Sequence, residues 1–177
     1  MTPANAGRLW DVLQEPDLRD YQDLPDVNRA QFLRAVGARP LRLRPGTAGR
    51  FEWLLLFPDG EEPLGWVSLR IADTNRSTAE IGYSIVLAHR GRGFATEAVA
   101  ALVDEGFRRA QVRRIRAYCL PENLASRAVL RRNGFADDGK LPHGATVAGK
   151  PVDVILHTLD RERWAAEASE NRQATRS

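Results

Sequence analysis

Arg90-Gly91-Arg92-Gly93-Phe94-Ala95-Thr96-Glu97-Ala98 is the stretch on which the reading of this chain turns. Its two glycines stand where an apolar run ends and a helical pattern begins, so only backbone lies close to whatever approaches them. Unpaired N–H groups in a first helical turn, with the positive end of the helix dipole behind them, make a seat for a pyrophosphate. Gly91 and Gly93 permit the approach, and Arg90 and Arg92 add cationic charge beside it. Many glycine turns are plain turns, so the surrounding pattern has to decide. A P-loop needs Gly-Lys-Ser/Thr, and the stretch has no lysine. A dinucleotide fingerprint needs a third glycine, an early βαβ unit and an acidic residue roughly 20 positions on. Neither pattern fits.

Upstream of the loop the hydrophobic pattern is that of strands. Residues 51–57 form a compact apolar run closed by Pro58-Asp59-Gly60, and residues 65–71 alternate until Asp73-Thr74-Asn75. Residues 79–87 read as a third strand, in which Gly82 marks a bulge or a close backbone approach. Downstream, helical spacing covers residues 94–110, a strand follows at 113–120, and a short helix at 124–132 lies between Asn123 and Asn133-Gly134. Residues 152–158 make the last strand. Near the start, residues 8–13 and 25–36 read as two short helices broken around Pro16 and Pro25. A meander followed by strand, helix, strand, helix, strand predicts an α/β sandwich with a mixed, mostly antiparallel sheet and helices on both faces.

Composition narrows the function classes. The chain has 177 residues, 43% hydrophobic and 28% charged, the profile of one globular domain. A domain of that size buries roughly 70% of its unfolded surface, so neither a metal nor a disulfide is required. Cys119 is the single cysteine, which excludes an internal disulfide and reads as a buried thiol. No run reaches the roughly 18 apolar residues of a membrane helix, and the first residues lack a signal pattern, so no membrane association and a cytoplasmic location are expected. The net charge is +3, and all but two of the 26 basic residues are arginine, scattered along the chain, so nucleic-acid binding is not indicated. His89, His143 and His157 are too dispersed for a metal site. The polar stretch 167–177 has no apolar face to dock and is expected to be a flexible tail on a single domain of residues 1–166.

The loop resembles the Gln/Arg-x-x-Gly-x-Gly/Ala coenzyme A signature of the GNAT acetyltransferases, in the form common among RimJ/RimL-like members. Three further pieces match in order. Glu80-Ile81-Gly82-Tyr83 resembles the strand before the loop, and Asn123-x-x-Ser126-x-x-x-Leu130-x-x-x-Gly134-Phe135 resembles the second coenzyme motif. Gly149-Lys150-Pro151-Val152-Asp153-Val154 resembles the closing hairpin. Together they span residues 50–164.

The resemblance implies a GNAT fold whose sheet splays into a V between residues 81–87 and 113–120, with acetyl-CoA as co-substrate and a primary amine as acceptor. The pantetheine arm would pair with backbone near Ile85, Val86 and Leu87, and an N–H there would stabilise the oxyanion. Arg90, Gly91, Arg92, Gly93, Phe94 and Ala95 would hold the pyrophosphate. Asn123 would cap its helix and touch the cofactor arm. Glu80 is the candidate base, with a salt-bridged strand glutamate as the competing reading. Ser126 is the candidate proton donor to the departing thiolate, or else a serine that satisfies a backbone group at the start of its helix. Tyr83 and Tyr118 lie on the two arms of the V, where a hydroxyl could face the thioester or simply cap a packed ring. Glu97 reads as a carboxylate favoured by the helix dipole.

One element departs from the family pattern. The usual opening strand is missing, or is supplied by Pro40-Leu41-Arg42-Leu43-Arg44-Pro45 out of order, or lies in upstream sequence; an uncovered sheet edge would favour a homodimer. The acceptor, a protein N-terminal amine or a small-molecule amine, is left open. Asp17, Asp20, Asp23 and Asp26 would tolerate a cationic amine, and would equally suit a solvated helix face. An alternative from another class is a catalytically weak acyl-CoA-binding sensor or interaction module.

Overall fold

The computed structural model describes residues 3–15, 27–40, 42–58, 60, 62–147 and 149–174. The chain opens with α1 (Pro3–Leu13) and α2 (Arg29–Gly37). Proline at the first helical position of α1 costs nothing, because its missing N–H would have had no partner there. A capping box starts α2: the Asn28 side chain accepts from the Gln31 amide at 2.9 Å, and the Asn28 amide donates to the Gln31 side chain at 2.9 Å. Pro16 and Pro25, the expected breakers between the two helices, lie outside the described residues, as do Asp17, Asp20, Asp23 and Asp26.

Six strands follow: β1 (Gly49–Leu56), β2 (Pro63–Ala72), β3 (Asn75–Ile85), β4 (Arg114–Cys119), β5 (Ala136–Val147) and β6 (Lys150–Asp160). The helix α3 (Phe94–Asp104) connects β3 to β4, α4 (Leu124–Arg132) connects β4 to β5, and α5 (Arg161–Ala174) follows β6. The sheet order is β1-β2-β3-β4-β6-β5, and only the β3–β4 pair is parallel. That crossover, carried by α3, is the one expected of a strand–helix–strand unit.

Strand alternation divides the core in two. Phe51, Leu69, Ile71, Ala79, Ile81, Ile115 and Ala117 face α3 and α4 and pack on Val99, Leu102, Phe107 and Leu130. Trp66 and Leu54 point to the other face and pack beneath Leu9, Val12, Phe32 and Val36 of α1 and α2. Gly106, just beyond α3, sits against the sheet; a Cβ there would lie 2.9 Å from Ile115 Cδ1. The expected helix at 94–110 is α-helical only to Asp104 and continues as a π turn over Glu105–Ala110.

Two expectations are corrected, and one strand has no counterpart in the sequence reading. Residues 136–147, unassigned there, form β5; at a sheet edge Pro142 blocks no ladder bond, and two register shifts absorb Gly139 and Gly144. The stretch 167–174 is helical within α5, because its alanines and glutamates, with Arg172 and Gln173, are good helix formers even without an apolar face. Residues 40 and 42–45 form no strand; Leu43 instead packs on the main core, and β1 is the edge of the sheet.

Candidate active site

The parallel pairing of β3 with β4 covers only Thr78↔Arg114, Ala79↔Ile115 and Glu80↔Arg116. Beyond Glu80 and Arg116 the strands part, leaving a V. The Val86 amide donates to the Leu64 carbonyl at 2.9 Å, so Val86 belongs to the β2 side. By alternation Tyr83 and Ile85 turn their backbone groups toward the gap. The Ile85 carbonyl accepts from Arg90 Nε at 2.8 Å, which leaves the Ile85 N–H as the donor at the mouth of the V. Leu87 begins a 3₁₀ turn, Leu87–His89, and is largely exposed rather than extending the strand.

A cleft of about 390 Å³ opens on the α3–α4 side of this gap. Its outer wall is the loop. Gly91 and Gly93 have φ of +74° and +88°, the left-handed region that glycine enters freely. A Cβ on either would meet no protein atom within 4 Å, so the space above them is open. The amides of Gly91, Arg92, Gly93, Phe94 and Ala95 donate to no acceptor among the described residues, while Thr96 and Glu97 already donate to the Gly93 carbonyl. Five consecutive free donors at a helix start are what a pyrophosphate requires. Phe94 and Ala95 line the cleft; the Arg92 guanidinium lies over the Phe94 ring at 5.5 Å.

At the inner end, Tyr83 and Ser126 meet. The Tyr83 hydroxyl is 2.8 Å from Ser126 Oγ and 3.2 Å from the Ser126 carbonyl. Burial pushes the Tyr83 phenol well above its ordinary range, partly offset by the hydrogen bond to Ser126, so it stays protonated. Asn123 caps α4 by accepting from the Ser126 amide at 3.0 Å and also lines the cleft. Behind Ser126 lies Cys119, buried, its sulfur 3.9 Å from His157 Nδ1. Burial pushes the Cys119 thiol up to about 11 and holds the fully buried His157 below its usual value. Asn133 ties α4 to α3 by donating to the Thr96 carbonyl at 3.3 Å.

Glu80 stands at the vertex of the V with its side chain on the opposite face of the sheet, alternating with Tyr83. Its carboxylate is 2.5 Å from Arg70 Nη2 and more than a third exposed. The strand-glutamate reading and the candidate-base reading therefore describe the same side chain. Tyr118 is half-buried on β4 and alternates with Ala117 and Cys119 of the core, which sets it on the face of the sheet opposite Tyr83.

Several residues of the site went unread in the sequence. His89 lies buried in the cleft wall, 3.2 Å from Glu62 through Nε2, and Phe57 packs edge-on against both His89 (5.1 Å) and Phe94 (5.8 Å). Phe57 and Glu62 belong to the β1–β2 turn, remote in sequence, and only strand pairing brings them here. Ala125, Ala128, Val129 and Arg132 also line the cleft; their helical spacing on α4 was a usable signal. Among the described residues no group of three His, Cys, Asp or Glu could hold a metal, and no helix is long and apolar enough to cross a membrane.

Comparison with known proteins identifies the family. Residues 1–136 match the family model described as "Acetyltransferase (GNAT) domain". The chain is 33% identical over 165 residues to an uncharacterized N-acetyltransferase, p20, of Bacillus licheniformis, covering 91% of this chain and 90% of p20. It is 31% identical over 109 residues to the ribosomal-protein-serine acetyltransferase of Escherichia coli, covering 62% of this chain and 60% of that protein. A spermidine N-acetyltransferase from Vibrio cholerae, solved with CoA and spermine, superposes with a TM-score of 0.79 at 16% identity, covering 93% and 95% of the two chains; that likeness is one of fold.

Proposed function

This chain belongs to the GNAT acetyltransferase family, and from that premise we propose how its residues move an acetyl group and which amines it serves. It is an acetyl-CoA-dependent N-acetyltransferase that delivers the acetyl group to a primary amine by direct attack. The observation that supports this reading best is a single cleft with five free amides at its outer wall and the Tyr83–Ser126 pair at its inner end.

The amides of residues 91–95 seat the pyrophosphate, and the gap beside Tyr83 and Ile85 receives the pantetheine arm like an added strand. The Ile85 N–H points at the thioester carbonyl and stabilises the oxyanion as the amine adds. Glu80, at the vertex on the acceptor side, takes the amine's proton through water. Ser126, held by Tyr83, gives a proton to the departing thiolate and regains one from water, which balances the proton that leaves the amine through Glu80. The acceptor is a protein N-terminal amine or a small-molecule amine. A relative is named for the serine of a ribosomal protein, and a protein alike in fold is named for spermidine. An α-amino group, with a pKa near 8, is roughly a tenth free at pH 7, whereas a lysine near 10.4 is almost wholly protonated; this favours the N-terminal amine. The enzyme acts in the cytoplasm.

The test is calorimetric titration with acetyl-CoA, followed by thiol release against N-terminal peptides, polyamines and aminoglycosides. Binding with turnover is expected. Binding without turnover on any amine would reduce the protein to an acyl-CoA sensor, and no binding would remove the loop assignment.

A further inference from the structure

Cross-strand register sets one row of charged residues across the sheet face that α1 and α2 partly cover. Arg50 on β1 pairs with Arg70 on β2, Arg70 with Glu80 on β3, Glu80 with Arg116 on β4, and Arg116 with Thr158 on β6. The row crosses the vertex of the V, where Glu80 and Arg116 are the last paired residues before the strands separate. Most of its members are satisfied. Arg70 holds Glu80 at 2.5 Å, Arg50 holds Glu52 at 2.8 Å, and Glu52 also meets Arg39. Thr158 donates to Asp138 at 2.6 Å, and the neighbouring Arg114 is matched by Asp160.

Arg116 is the exception. It is half-buried, yet its side chain makes no hydrogen bond or ion pair among the described residues. Its direct neighbour Glu80 is taken by Arg70. Among the described residues Arg39, Arg50 and Arg70 are matched to Glu52 and Glu80, which leaves Arg116 as the guanidinium of this row with no anion bonded to it. A partly desolvated guanidinium without an anion gains most from a carboxylate that arrives with a ligand, because its planar fork binds both oxygens at once.

The coenzyme cleft lies on the α3–α4 side, so an acceptor reaches the thioester through the V from this opposite face. We propose that Arg116 receives a carboxylate carried by the acceptor close to its reacting amine, and that the acceptors served best are N-terminal peptides with Asp or Glu at the second or third position. The inference rests on the acetyl-transfer reading above. Three strand positions, about 10 Å at roughly 3.3 Å per residue, separate the vertex at Glu80 from Tyr83. An extended peptide with its amine near Tyr83 places its second or third side chain within reach of Arg116. A polycation would meet like charge on the same path.

The experiment measures thiol release by the full chain with acetyl-CoA and matched peptides that begin Ser-Asp, Ser-Ala and Ser-Lys, with free glutamate and spermidine as further arms. The Ser-Asp peptide is expected to exceed the Ser-Lys peptide in kcat/KM by on the order of tenfold or more, mainly through KM. Arg116→Gln should erase that preference while leaving acetyl-CoA affinity and the melting temperature in place, and Arg116→Glu should tilt it toward Ser-Lys. Free glutamate outpacing the peptides would keep the Arg116 contact but overturn the peptide as its source. Equal or better turnover of Ser-Lys or spermidine by the unmodified protein would overturn the inference whatever the variants do, as would a preference that survives Arg116→Gln. Thiol release from no amine at all would sink the acetyl-transfer reading itself, which any indiscriminate turnover leaves standing.

Discussion

Replacing Ser126 by alanine separates chemistry from packing because the two roles differ widely in size. The substitution removes the 2.8 Å contact with the Tyr83 hydroxyl but keeps the backbone amide that Asn123 caps. If Ser126 only satisfied Tyr83, the loss would be one side-chain hydrogen bond, about 1 kcal/mol, because the Tyr83 hydroxyl retains the Ser126 carbonyl at 3.2 Å. That is a drop of roughly 2–4 °C in melting temperature for a domain of this size. A proton donor is worth roughly 100- to 10,000-fold in rate. An alkyl thiol with a pKa near 8.5 leaves fairly well unaided, so the lower end, about 100-fold in kcat, is expected here. The deficit should shrink as the pH rises past that thiol pKa, where thiolate departs without help. The assay is steady-state thiol release from pH 6 to 10 beside a melting curve and a calorimetric acetyl-CoA titration. A kcat within about threefold of the parent, with the same pH profile, would refute the donor role and leave Ser126 as a partner for Tyr83.

Other perturbations probe the remaining parts. Gly93→Asp should melt a few degrees below the parent, because the added Cβ meets no protein atom and the cost is that of holding a side chain at a φ of +88°, about 1–2 kcal/mol, yet it should abolish coenzyme binding by placing an anion in the pyrophosphate seat; unchanged affinity by calorimetry would count against the loop. Glu80→Gln should lower turnover and raise its pH optimum with acetyl-CoA affinity nearly intact, and identical rates at every pH would remove Glu80 as the base. Gly65→Ala should destabilise by about 3 kcal/mol or more in chemical denaturation, because its Cβ would fall 2.1 Å from the Ser84 carbonyl oxygen; a shift below 1 kcal/mol would contradict the close β2–β3 approach there. Cys119 should alkylate slowly in the native protein. Because its folded value is raised from 9.0 to about 11, its contribution to stability is complete below pH 9 and is lost as the pH climbs toward 11; fast labelling at pH 8 without unfolding would show the thiol to be accessible.

Legibility in the sequence followed locality. The loop at 90–98 and the Asn123-to-Phe135 motif carry their information in contiguous glycines, caps and helical spacing, and the structure places both along one cleft. β5 was not legible, because an edge strand tolerates the Gly139, Pro142 and Gly144 that elsewhere mark a loop. The π turn at Glu105–Ala110 preserves the apolar pattern of a helix and so leaves no trace in spacing. Phe57 and Glu62 could not be assigned to the site because their partner, His89, is reached only through the β1–β2–β3 register. The competing readings of Glu80 turned on the same fact, since its cross-strand neighbour Arg70 is fixed by strand pairing rather than by sequence distance.

The short β3–β4 ladder makes the coenzyme part of the fold's own thermodynamics. Three paired positions close the sheet at its centre, and in the proposed mode of binding the pantetheine arm would extend that ladder beside Ile85. A ligand that binds only the native state adds RT ln(1 + [L]/Kd), about 2.7 kcal/mol at a hundredfold excess over Kd. The melting temperature is therefore a function of acetyl-CoA concentration, and a thermal scan reports coenzyme supply as much as chain stability.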